Sequence, residues 1–132
     1  MSAAVGLSVA HRRYVPYGHA HYAGGLVDGA YVLGLFGDVA TELCIRGDGD
    51  EGLFAGYEQV RFVAPVRAGD VVQVCGTVTR VGTRSRTVRF ECLVVCRGCP
   101  EVSVSAARVL TPPLVAVTAV GTVVVPQTGA AG

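Results

Sequence analysis

Residues 21–42 read HYAGGLVDGAYVLGLFGDVATE, a short loop that runs into a helical pattern. His21, Tyr22 and the Gly24-Gly25 pair come first, and the spacing after them predicts one long helix over Leu26 to Ile45. At 100° per residue, Asp28, Tyr31, Asp38 and Glu42 fall on one arc. Leu26, Ala30, Val32, Leu33, Phe36, Ala40, Leu43 and Cys44 take the other. Asp38 and Glu42 are four residues apart, so two negative charges face the same way. In a cleft, that repulsion raises the pKa of at least one of the acids. Gly29, Gly34 and Gly37 each cost about 1 kcal/mol relative to Ala inside a helix. Their presence predicts that a sheet, a ligand or a second backbone comes close. An ordinary amphipathic helix lying on a sheet is the simpler alternative.

On either side of the helix the pattern changes to strands. A first strand is predicted over Val5 to Val15, before a loop marked by Pro16, Gly18 and the glycine pair. The helix is expected to stop in the breaker cluster Arg46-Gly-Asp-Gly-Asp. Alternation then marks strands over Tyr57 to Val63 and Val71 to Val81, with a hairpin turn at Gly82-Thr83. Arg86 to Cys96 places Val88, Phe90, Cys92, Val94 and Cys96 inward and Thr87, Arg89 and Glu91 outward. A loop is expected from Gly98 to about Pro113, then a last strand over Val115 to Val125. Residues 1–126 read as one domain, and the Gly, Ala and Thr tail 127–132 as disordered. One long helix with strands before and after it is an α+β layout, an antiparallel sheet wrapped around the helix, which matches the hotdog architecture. A single helix covers only part of a five-stranded sheet, so dimerisation is expected on burial grounds.

The composition narrows the function classes. All eleven basic residues are Arg, and the formal charge is +1, so there is no global basic field for nucleic acid. His11, Arg12 and Arg13 come too early for a signal-peptide h-region, and no apolar run approaches the length of a membrane span. The reading is a soluble, cytoplasmic protein. Five cysteines include one Cys96-Arg-Gly-Cys99 spacing, but no second ligand pair completes a zinc site. Asp48-Gly-Asp-Gly is only superficially similar to a calcium loop. No metal and no cofactor are expected.

His19-Ala-His-Tyr-Ala-Gly-Gly-Leu-Val-Asp-Gly-Ala30 resembles the loop-to-helix segment of the 3-aminobutyryl-CoA ammonia lyases of lysine fermentation. The resemblance continues through Phe36 to Leu43, Asp48 to Phe54, Phe62 to Val66, Ala68-Gly-Asp70, Val81-Gly82, Ser85-Arg86, Pro112-Pro113 and Gly121-Thr122. It covers about Ser8 to Pro126 in order. The β-alanyl-CoA ammonia lyases look similar over the same blocks, and both lie in the hotdog superfamily with acyl-CoA thioesterases and dehydratases. Two positions depart: the family carries Asp where this chain has His19, and Asn where it has Gly25. The departures bear on the exact substrate more than on the reaction class.

The resemblance implies reversible elimination of ammonia from a 3-aminoacyl-CoA to give a 2-enoyl-CoA, with acyl-CoA as substrate. It also implies a homodimer assembling into a hexamer. Backbone N–H groups near Gly24, Gly25 and Leu26 suit the charge that develops on the thioester oxygen. Asp38 is the expected base, and Glu42 one turn on would split the two pKa values, or else pair with Arg46. Asp28, placed in the first helical turn, either stabilises the helix dipole or contacts the substrate ammonium. His21 can hydrogen-bond the thioester or ammonia, or be a loop histidine. Tyr22 contacts substrate or simply packs, and His11 and His19 read as surface residues. Arg80, Arg84, Ser85, Arg86 and Arg89 surround the hairpin, where arginine forks suit the phosphates of coenzyme A. A thioesterase that uses the same carboxylate to activate water is the rival enzyme. A non-catalytic acyl-CoA binding module is the rival outside catalysis.

Overall fold

The computed structural model describes residues 3–126, so the tail expected to be disordered, 127–132, lies outside the described residues. Strand β1 covers Ser8–Tyr14 and is followed by a short 3₁₀ turn, Tyr17–His19. Two small strands come next, β2 at Ala20–Tyr22 and β3 at Leu26–Val27, paired with each other. The helix α1 spans Gly29–Asp48. Strands β4 (Leu53–Phe62), β5 (Val71–Val81), β6 (Ser85–Gly98) and β7 (Ala107–Val124) complete the chain. The main sheet is antiparallel in the order β1-β5-β6-β7-β4, so β1 and β4 are its edges. This is the expected α+β layout. Among the described residues, no helix is long and apolar enough to cross a membrane.

The helix starts three residues later than its apolar pattern predicts. Gly24 and Gly25 take φ values of 78° and 74°, which turn the chain as few other residues can. Leu26 and Val27 then remain extended, because their backbone pairs with residues 66–68. Val27 donates its N–H to the Val66 carbonyl at 2.8 Å, and Ala68 donates to the Gly25 carbonyl at 2.8 Å. Asp28 is therefore the N-cap, with an extended backbone, rather than a member of the first turn. At the other end the helix runs three residues past Ile45. It stops at Gly49, whose left-handed φ of 67° lets its N–H reach the Ile45 carbonyl at 3.0 Å.

Val32, Phe36, Val39, Ala40, Leu43, Cys44 and Gly47 form the buried stripe of α1. Ala30, expected on that face, is exposed, and Val39 takes a place in it. Phe36 stacks on Phe90 of β6 at 5.0 Å between centroids, and Phe54 of β4 stacks on Phe90 at 5.9 Å. Truncating a ring buried as fully as Phe36 costs about 3–5 kcal/mol. The glycines that permit this packing lie mainly in the strands. A Cβ on Gly76 would sit 2.8 Å from Val39 Cγ1, and one on Gly121 would sit 2.5 Å from Phe54 Cζ. Within the helix, Gly34 and Gly37 meet no neighbour from their own chain.

Strand β6 begins and ends close to its predicted limits, and Val88, Phe90, Cys92 and Val94 point inward as expected. Cys96 is only half-buried, because the register slips between Val94 and Cys96. Strand β7 begins at Ala107, inside the stretch expected to be a loop. Its partners jump from Val109 opposite Cys96 to Leu114 opposite Val94. Pro112 and Pro113 lie within that jump, where a residue with no N–H to give interrupts the ladder locally without ending the strand.

Candidate functional site

The start of α1 opens on a cleft. The side chain of Asp28 makes no capping bond to the first helical N–H groups. It instead lines a cavity of about 350 Å³ with Tyr22, Val27, Gly29, Phe62 and Pro65. The ring of Phe62, at the end of β4, lies against the first turn, and a Cβ on Gly29 would be 2.5 Å from its Cε1 and Cζ. This is the close approach that Gly29 predicted, supplied by a side chain of the same chain. Free helical N–H groups, positive potential at the helix start and one carboxylate therefore meet beside an apolar wall. Tyr22 lines this cavity, whereas His21 is exposed and stands edge-on to Tyr22 at 4.6 Å. His19 stacks on Tyr31 at 4.3 Å.

Asp38 is elsewhere. It is exposed on the outer face of α1, between Gly34, Gly37 and Thr41, and lines none of the principal cavities. Ten residues separate it from Asp28, which at 1.5 Å per residue is about 15 Å along the axis. A thioester whose oxygen sits at this helix start cannot offer its α-hydrogen to the Asp38 of the same chain. The single-chain geometry expected from the shared arc is therefore overturned by helix length.

Glu42 does not form an acid pair with Asp38. His11 Nε2 of β1 lies 2.6 Å from Glu42 Oε1, and Arg46 Nε donates to Glu42 Oε2 at 2.7 Å. The His11 hydrogen bond first, and the Arg46 bond second, pull the Glu42 pKa below the usual carboxylate value rather than up. His11 is accordingly a partner of the helix, not a free surface residue.

The hairpin arginines divide in the same way. Arg86 is 8% exposed and forks onto Asp48, with Nη2 donating to Oδ1 at 2.7 Å and Nε to Oδ2 at 3.1 Å. Its Nη1 donates to the carbonyls of Gly82 and Ser85, both at 2.9 Å. With its donors engaged inside the protein, Arg86 is not free for a phosphate, which corrects the sequence expectation. Ser85 is half-buried in the same turn, while Arg80, Arg84 and Arg89 are exposed. Asp48 belongs to this ion pair, and Asp50 accepts the Gly52 N–H at 2.7 Å, so both acids of the calcium-like stretch have local structural work.

All five cysteines are free thiols. Burial pushes the Cys92 thiol up to about 12 and the Cys44 thiol up to about 11, which suppresses the reactive thiolate. Cys99 is buried in its loop with Sγ 3.8 Å from the Arg97 carbonyl oxygen.

One constellation escaped the sequence reading. Asp70 is 1% exposed and accepts from Arg97 Nε at 3.1 Å, from Arg97 Nη2 at 2.8 Å and from the Arg67 backbone N–H at 2.8 Å. Arg97 Nη2 also donates to the Pro65 carbonyl at 2.8 Å. This clamp fixes residues 65–70, of which Pro65 and Val66 line the helix-start cleft. An acid closing the turn Arg67-Ala-Gly-Asp70 was its one visible signal.

The thioesterase superfamily model matches residues 24–95, from the glycine pair to near the end of β6. The chain is 54% identical over 108 residues to 3-aminobutyryl-CoA ammonia lyase of Acetoanaerobium sticklandii, covering 82% of this chain and 86% of that protein. Its fold superimposes on beta-alanyl-CoA:ammonia lyase from Clostridium propionicum with a TM-score of 0.88 at 36% identity, over 94% of this chain and 88% of the other. A hexameric hotdog fold thioesterase of Campylobacter jejuni shares the fold at a TM-score of 0.72 and 18% identity, over 90% and 84% of the two chains. The chain belongs to the thioesterase superfamily of hotdog proteins and, within it, to the family of the acyl-CoA ammonia lyases.

Proposed function

We propose that this protein is a carbon–nitrogen lyase that reversibly eliminates ammonia from a 3-aminoacyl-CoA, with 3-aminobutyryl-CoA and crotonyl-CoA as the pair. The observation that carries this reading is the 54% identity to a 3-aminobutyryl-CoA ammonia lyase across most of both chains. In the elimination direction a carboxylate takes the proton alpha to the thioester. The electron pair forms the new double bond as the C–N bond breaks, and the amine departs from its ammonium form as ammonia. Charge that builds on the thioester oxygen is met by helix-start N–H groups. The glycines at 24 and 25 let the thioester approach that backbone. Activation by N–H donors needs no metal, so turnover is expected with chelator present.

The roles follow from reach. Asp38 is the base, because Glu42 is already bonded to His11 and Arg46. Since Asp38 cannot reach its own helix start, the site is shared: Asp38 of one protomer faces the helix start and Asp28 of a second copy. Asp28, without a capping bond, is suited to the substrate ammonium, and Tyr22 to the acyl chain. The free edge β4 supports the assembly, with Leu53, Phe62 and Val63 exposed by 72%, 57% and 62%. A dimer is the catalytic unit, and a trimer of dimers the proposed full assembly. Free thiols throughout suit a reducing cytoplasm.

The test is incubation of the protein with crotonyl-CoA and ammonium, with products separated by mass. The amine adduct is the expected product. Free coenzyme A without the adduct would identify a thioesterase instead, and tight binding without turnover would identify a binding module.

A further inference from the structure

We propose that Arg97 and Asp70 are positioning residues of the reaction, a role that rests on the lyase reading above. By gripping the crossover between β4 and β5, they set where the helix-start N–H groups stand. In the order β1-β5-β6-β7-β4, the chain must pass the ends of β7 and β6 to get from β4 to β5. Val63 and Ala64 still donate to the Ala116 carbonyl of β7, at 2.8 and 3.1 Å. Beyond them the crossover leaves the ladder, and Val71 rejoins it opposite Cys96 of β6. Arg97 is the next residue of β6, and its guanidinium holds both ends of the crossing segment. Nη2 donates to the Pro65 carbonyl at 2.8 Å, while Nη2 and Nε donate to the two Asp70 oxygens at 2.8 and 3.1 Å. The Arg97 side chain is 13% exposed and that of Asp70 1%, so water competes little for these bonds.

The helix start hangs on this segment. Val27 donates to the Val66 carbonyl and Ala68 to the Gly25 carbonyl, both at 2.8 Å, and Leu26 bridges Arg67 in antiparallel fashion. Strand β3 otherwise pairs with β2, in a small sheet separate from the main one. Gly24, Gly25 and Asp28 therefore take their places from a segment that Arg97 holds against the end of β6. Donors to a developing oxyanion must stand about 2.7–3.1 Å from it. A productive site tolerates errors of only about 0.5 Å. One guanidinium spanning a carboxylate and a carbonyl fixes geometry to that order, because its donors form a rigid fork. The ammonium of a lysine, a single point charge, cannot reach all three acceptors in one arrangement.

Two measurements separate geometry from stability. Arg97→Gln should lose both melting temperature and rate, because it strands the buried Asp70 carboxylate. Adding Asp70→Asn removes that charge and should return most of the melting temperature. The kcat of the double variant with crotonyl-CoA and ammonium should stay about tenfold to a hundredfold down, less than the loss of an oxyanion donor outright. Arg97→Lys, which keeps the charge without the fork, should show the same deficit in kcat. Recovery of kcat together with melting temperature in the double variant would make the pair purely structural and overturn the proposal. Isotope-edited infrared spectroscopy of bound crotonyl-CoA gives a readout that stability alone does not move. Binding to the wild type should lower the thioester carbonyl stretch, and the lowering should shrink in the double variant and in Arg97→Lys. Equal lowering in all three proteins would overturn the proposal, as would no lowering in the wild type. A lowering that shrinks in the variants of a protein forming no amine adduct would uphold the positioning role while sinking the lyase reading.

Discussion

The two ends of α1 are built for opposite purposes. At the C-terminal end everything is closed. Gly49 returns its N–H to Ile45, and Asp48 is forked by the buried Arg86. Gly47 is so tightly covered that a Cβ would lie 3.0 Å from Ala3. At the N-terminal end the cap residue leaves the helical N–H groups without a side-chain partner, and a cavity lies beside them. Both ends carry an aspartate and glycines, so composition does not separate them. The difference lies in whether the aspartate finds an arginine. Where it does, the helix end is structure; where it does not, carboxylate and N–H groups remain available to a ligand.

The largest expected effect is at the open side. Asp38→Asn should lower kcat by about 10²–10⁴-fold, the range for a lost general base, with an unchanged melting curve because the side chain is exposed. A near wild-type rate of deuterium exchange at the substrate α-carbon in that variant would assign the proton to another group.

At the closed end, Arg86→Ala should destabilise by about 3–5 kcal/mol, because it strands the Asp48 carboxylate in a nearly dry site. Denaturant unfolding measures this. KM for crotonyl-CoA on the surviving folded protein should not change. A raised KM with unaltered stability would return Arg86 to the role of phosphate ligand.

Gly29→Ala should cost at most about 1 kcal/mol, because the Phe62 ring that the methyl meets is 57% exposed and can swing aside while Ala favours the helix. Much of that cost should disappear in a Phe62→Leu background. Additive losses would mean that the ring does not rest on the helix start.

The smallest effect concerns Glu42. Its pKa is lowered in the folded protein, so its contribution to stability is full above the ordinary value of 4.5 and is lost as pH falls through the lowered one. The melting-temperature gap between wild type and Glu42→Gln should therefore close in acid. Its kcat should stay near wild type, and a loss matching that of Asp38→Asn would make Glu42 a proton donor.

Local periodicity made much of the fold legible. The alternation of β5 gave its limits, Val71 and Val81, and that of β6 gave its inward face. Non-local pairing hid the rest. Leu26 and Val27 continue the helical apolar pattern, yet backbone bonds to residues 66–68 keep them extended. Pro112 and Pro113 resemble a loop, yet β6 carries the strand past them. At the site, the open glycines and Asp28 were visible as a motif. The Arg46 partner of Glu42, one turn on, was legible from spacing, but its other partner, His11, lies 31 residues away, and that of Arg86 lies 38 away. No spacing rule reaches that far.

The central claim is that base and helix start come from different protomers, and subunit mixing tests it. Asp38→Asn and the double variant Tyr22→Ala, Asp28→Ala are each expected to be nearly inactive alone. Unfolded together and reassembled, half of the dimers should be mixed, each with one intact site, restoring roughly a quarter of wild-type activity. No recovery in demonstrably mixed dimers would contradict the account and place the whole site within one chain.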